Sequence, residues 1–159
     1  MGVIELLQPK GYPLVAFGNP CQGVATAAAF LRSLLGKIDG PIILAAHSYG
    51  GAVITQAGDG PKVKGLVYAG SILPAVGESS STSVQRFPGS TFFTSTEQTD
   101  YTLPGGTSGS YLLHQGDKFH AETSADVPDD HAALMNVTQR PMHVAALNEP
   151  LTLVDVSFC

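Results

Sequence analysis

The chain has 159 residues, 43% hydrophobic and 13% charged, enough apolar material for one packed domain and too much for wholesale disorder. A net charge of −5 with scattered Lys and Arg leaves no footprint for nucleic acid, and no apolar run reaches the roughly 18 residues that span a bilayer. Glu5 within the first apolar stretch argues against a secretory leader, and Cys21 and Cys159 suggest neither a disulfide framework nor a zinc site, so a soluble cytoplasmic protein without metal or cofactor is expected.

Residues 3–8 predict a short helix stopped by Pro9 and Gly11. The run YPLVAFG at 12–18 reads as a buried strand. Val24, Ala27, Ala28, Leu31, Leu34, Leu35 and Ile38 then recur at spacings of three and four, the pattern of an amphipathic helix. The turn Asp39-Gly40-Pro41 leads into a second strand, IILAA, and residues 50–57 form a helix weakened by its glycines. A third strand is expected at 63–70. Strands alternating with helices imply parallel pairing in a sheet covered on both faces. This rhythm ends after residue 78, where Ser, Thr and Gly dominate up to 110 with Phe87, Phe92, Phe93 and Tyr101 interspersed. Such composition alone reads as a flexible linker, whereas the aromatics favour a partly packed lid. Asp129 and Asp130 are candidate caps for a helix that Pro141 stops, and the tail LTLVDVSFC is apolar.

Chemistry concentrates after the second strand. Ala46, His47, Ser48, Tyr49 and Gly50 spell small–x–Ser–x–Gly, and Gly51 follows. A serine exposed at a sharp strand-to-helix turn needs small residues two before and two after it, and alanine meets the first requirement in place of the usual glycine. The following helix N-terminus favours developing negative charge, with the Tyr49 backbone N–H as one oxyanion donor. His47, adjacent to the serine, points away from it and reads as structural. The alternative is an ordinary strand-to-helix connection that contains a serine.

GPIILAAHSYGGAVITQA followed by VKGLVYAGSILPAVGES resembles small bacterial esterases of the α/β-hydrolase superfamily, relatives of plant methylesterases and hydroxynitrile lyases. The likeness extends through LLQPKGYPLVAFGNP, FHAETSADVP, AALMNVTQRP and ALNEP, to about Pro150. It implies an α/β class, partial α/β-hydrolase fold: parallel sheet strands with flanking helices at 1–74, a helical and irregular lid at 75–147, and an aberrant or truncated tail at 148–159. It also implies that Ser48 is the nucleophile, with Ala46, His47, Gly50 and Gly51 supporting its turn.

The family's triad continues with an acid and a histidine beyond the lid, and neither is found. His114, His120, His131 and His143 all fall in the lid region; His120 matches a lid position that faces the pocket, while His131 and His143 read as surface or packing residues. Asp155 has no histidine after it. The family's opening strand and second oxyanion donor are missing too, so the chain is expected to be a fragment, weakly active and marginally stable. The function implied is carboxylic ester hydrolysis through an acyl-Ser48 intermediate on a small-molecule substrate, without nucleic acid or membrane partners. A lyase of the same fold and a non-catalytic degraded relative are the alternatives.

Overall fold

The computed structural model describes residues 2–152, which leaves the tail residues Asp155 and Cys159 outside the description. In chain order the elements are α1 (Gly2–Leu7), α2 (Val24–Gly36), β1 (Ile42–Ser48), α3 (Gly50–Ala57), β2 (Val63–Ser71), α4 (Ser80–Gln85), β3 (Thr96–Thr102), β4 (Ser108–His114), α5 (Phe119–Thr123), α6 (Asp129–Val137), β5 (Met142–His143) and α7 (Val144–Asn148).

Helix α2 forms where the apolar spacing places it, and Val24, Ala27, Ala28, Leu31 and Leu35 turn inward. It packs against α3, which in turn lies on β1 and β2. The two strands are parallel, with Leu44 opposite Leu66 and Ala46 opposite Tyr68. Strand alternation drives Ile42 and Leu44 into the core beneath the helices and leaves Ile43, Ala45 and His47 exposed. Among the described residues this sheet is therefore covered on one face, not on both as the strand–helix rhythm implied.

Residues 12–18 form no strand. Tyr12 and Val15 are 59% and 62% exposed, and only Phe17 packs on the core. A strand consists of hydrogen bonds to a neighbour, and among the described residues no strand runs beside this segment.

The Ser/Thr-rich stretch is more ordered than a linker. β3, β4 and β5 form an antiparallel sheet in that order, and α5 and α6 pack on each other beside it. The β3–β4 turn contains Gly105 and Gly106 at φ 102° and 88°, a backbone region that suits glycine. Asp129 and Asp130 stand inside the first turn of α6, not at its cap, which is Pro128. From there their charges still complement the helix dipole.

The two layers share one hydrophobic core, in which Leu112, Ala146, Leu147 and Leu151 join Val24, Leu31 and Leu44. The start of the tail belongs to it. Leu151 is 1% exposed, its N–H donates to Glu78 O, and the Gln56 amide is paired with Thr152 at 2.8 and 3.1 Å. No helix among the described residues is long and apolar enough to cross a membrane.

Candidate active site

The carboxyl end of β1 turns into α3 through Ser48, whose φ is 51°. A non-glycine residue is left-handed only where its surroundings hold it there, at a cost of order 1–2 kcal/mol. Those surroundings explain the small residues. A Cβ on Gly50 would stand 3.2 Å from the Ala46 Cβ, and one on Gly51 would stand 2.7 Å from both Ile72 O and the Ser71 Cβ. The helix therefore approaches the ends of both strands as closely as backbone allows. The Ser71 hydroxyl donates to Ala46 O at 2.8 Å and ties β2 to the same turn.

Ser48 is half-buried and lines a cavity of about 430 Å³. This size suits a small organic ligand. The cavity lies between the β1–α3 turn and the second layer, and Phe92, Leu112, Phe119, Met142 and Leu147 give it an apolar wall. The backbone amides from Tyr49 to Gly51 belong to the first turn of α3, where N–H groups have no acceptor within the helix. They and the helix dipole make the Ser48 end of the cavity favourable to an oxyanion.

The Tyr49 side chain is 4% exposed, between the core and the cavity wall, and its hydroxyl has no hydrogen-bond partner among the described residues. Burial first, then the neighbouring Cys21 and Glu149, push its pKa far above the ordinary tyrosine value, so it stays neutral. Glu149 itself accepts from the Ala25 N–H at 3.3 Å, at the N-terminus of α2. His47 is exposed and lines the cavity beside Ser48, with its ring atoms 3.5 and 3.7 Å from where a Cβ on Gly70 would stand.

Of the histidines beyond residue 75, His114 lines the cavity and His120 does not. The His120 ring is held by Val127 O at 2.9 Å and sits 3.5 Å from the exposed Asp129 carboxylate. His131 is exposed, and His143 Nδ1 pairs with the Tyr101 hydroxyl at 2.9 Å. The sequence did carry a signal for His114. It follows Leu112 by two residues in a strand, so the two share a face, and Leu112 is buried. Burial lowers the His114 pKa, with Glu122 pulling weakly the other way, so the imidazole is neutral at pH 7. Glu122 spends its carboxylate on the Thr91 hydroxyl, and among the described residues no carboxylate hydrogen-bonds the His114 ring.

Residues 5–156 match the family model described as the alpha/beta hydrolase family, past the Pro150 limit that the quoted motifs suggest. A variant of tomato methylketone synthase I complexed with β-ketoheptanoate aligns at a TM-score of 0.73 and 17% identity, covering 95% of this chain and 66% of that one. Polyneuridine aldehyde esterase aligns at 0.71 and 15% identity, covering 93% and 62%. Tomato methylketone synthase I complexed with 2-tridecanone aligns at 0.69 and 16%, covering 89% and 61%. The chain thus spans a little under two thirds of the length of these structures, and at such identities the likeness concerns the fold. No curated protein matches the chain. The family match over nearly the whole length and the strained serine turn agree: the chain belongs to the alpha/beta hydrolase family.

Proposed function

We propose that this chain carries the acylation site of a serine hydrolase for carboxylic esters, with Ser48 as nucleophile and residues 75–147 as a lid over it. The observation that carries this reading is Ser48 itself: a non-glycine residue at φ 51°, at the strand end, on an apolar cavity and at a helix N-terminus. In the reaction, Ser48 Oγ adds to the ester carbonyl carbon and loses its proton. The carbonyl oxygen becomes an oxyanion held by the Tyr49 N–H. Collapse expels the alcohol, which takes up a proton, and water then cleaves the acyl-serine to free acid.

The weak point is the base. His114 is neutral, as a base must be, but among the described residues no carboxylate bonds its ring to fix the tautomer and stabilise the imidazolium as in a triad. Slow turnover of short-chain nitrophenyl esters by the 159-residue chain is therefore expected. Polyneuridine aldehyde esterase and methylketone synthase carry different names on one fold, so the fold does not select the reaction.

Prolonged incubation with a fluorophosphonate tests the reading. Peptide mass spectrometry should locate one adduct on Ser48, absent from Ser48→Ala. An adduct on another residue, or none at all, would sink the proposal.

A further inference from the structure

The cavity beside Ser48 belongs to a chain that is acidic overall, with 13 Asp and Glu against 8 Lys and Arg. Yet among the described residues no carboxylate lines it, and the one lysine or arginine on its wall is Arg140. Arg140 lines the cavity and is also exposed to water, which places it at the mouth. Met135 and Thr138 are likewise lining and exposed, so this side of the mouth comes from the end of α6 and the segment after it.

The other polar groups on that side are committed. The Thr138 hydroxyl donates to Leu134 O at 2.7 Å. The Gln139 amide accepts from His114 N at 2.8 Å and donates to His114 O and Asn136 Oδ1 at 3.2 and 2.8 Å. Arg140 has no hydrogen bond, ion pair or ring contact among the described residues, whereas Arg32 holds Asp59 and Arg86 holds Glu78. Its backbone is fixed all the same, between the Gln139 clamp on β4 and His143 N, which donates to Cys21 O at 3.1 Å. Burial raises the Cys21 pKa and the Arg140 charge opposes it, so that charge is felt at the loop before α2.

A guanidinium presents a planar fork that matches a carboxylate. At the mouth an anionic group keeps much of its water, and so avoids the desolvation cost it would meet against the apolar wall. An apolar chain with one anionic end therefore fits both parts of the cavity.

We propose that Arg140 determines specificity: the pocket takes the half-ester of a dicarboxylic acid, with its ester at Ser48, its apolar chain along the cavity wall and its free carboxylate on Arg140. The ester end rests on the reading of Ser48 as an ester-hydrolysing nucleophile; the carboxylate end does not.

The test measures binding to Ser48→Ala, so that no turnover intervenes. The ligands are the monomethyl esters of adipic, suberic and sebacic acid, each titrated calorimetrically against its own dimethyl ester in low salt. At least one half-ester should bind about fivefold more tightly than its diester, the modest gain of an ion pair exposed to water. The margin should shrink as salt is added. Adding Arg140→Gln should erase the preference, and Arg140→Lys, which keeps the charge without the fork, should retain part of it. A role for Arg140 in packing alone would leave the preference for the anion in place. The proposal is overturned if no half-ester outbinds its diester, if no ester binds, or if the preference survives Arg140→Gln or is unmoved by salt. The first comparison uses an unaltered cavity wall, so a variant that does not fold leaves it decisive. Failure of the Ser48 reading looks different: no fluorophosphonate adduct on Ser48 while the preference that depends on Arg140 persists.

Discussion

Residues 12–18 and β1 are both short apolar runs that end near a turn, yet only β1 is a strand. β1 has β2 along one edge, with its ladder running from Ile42 opposite Val63 to Ser48 opposite Ser71. It also has α3 above it, so each inward side chain is covered as its backbone bonds form. Residues 12–18 have neither among the described residues, and Tyr12 and Val15 face water. An apolar run states that burial would be favourable. Whether it becomes a strand depends on a neighbour.

The sharpest way to break this comparison is a pair of truncations. Leu44→Ala removes an 8% exposed side chain from the β1 core face and should cost about 2–5 kcal/mol. Val15→Ala, at a 62% exposed position, should cost no more than about 0.5 kcal/mol. Urea midpoints of the two variants measure the contrast, and equal losses would mean that residues 12–18 are packed after all.

A smaller effect should come from the cover over β1. Gly51→Ala places a methyl 2.7 Å from Ile72 O and the Ser71 Cβ, so α3 must lift from the strand ends. A loss of about 1–3 kcal/mol is expected from such overpacking. Gly60→Ala, whose nearest neighbour would be the Val63 side chain at 3.8 Å, is the control that should lose less.

Weaker still is the tie that follows residues 12–18 into α2. Glu149 places its carboxylate on the Ala25 N–H, at the positive end of that helix. Glu149→Gln keeps the shape, removes the charge and should lower stability by about 0.3–1 kcal/mol, with a smaller loss at high salt. A salt-independent loss would assign the residue a packing role instead.

The same contrast between a partnered and an unpartnered site separates the histidines, and it should produce the smallest effect. The folded state lowers the pKa of His114 from its ordinary 6.5, so the unfolded chain binds protons more readily there. The contribution of His114 to stability is thus complete above pH 6.5 and is lost as pH falls below it. Glu122 works against the shift, which keeps it modest. Denaturation curves between pH 5 and 8 should show this acid-side loss, reduced in His114→Gln; an opposite slope that disappears in that variant would contradict it.

Legibility followed the strength of the local signal. α2, β1, α3 and β2 could be read because each has a clear apolar period and a turn of Gly, Pro or Asp at its border. The Ser48 turn could be read because its small residues are a steric requirement of the geometry. The β3–β4 hairpin was obscured because Thr, Ser and Gln fill strands whose faces stay largely wet, leaving alternation without contrast. The choice between His114 and His120 turned on which side of its own element each occupies, and that depended on packing between layers.

The left-handed turn at Ser48 has one more consequence. Of all residues, glycine would sit there most comfortably, and it is the one that removes the hydroxyl altogether. At this single position, conformational ease and the proposed acylation chemistry point to opposite residues. A search for sturdier versions of the chain, conducted blind to chemistry, would therefore drift toward glycine at 48 and discard the proposed nucleophile while improving the scaffold.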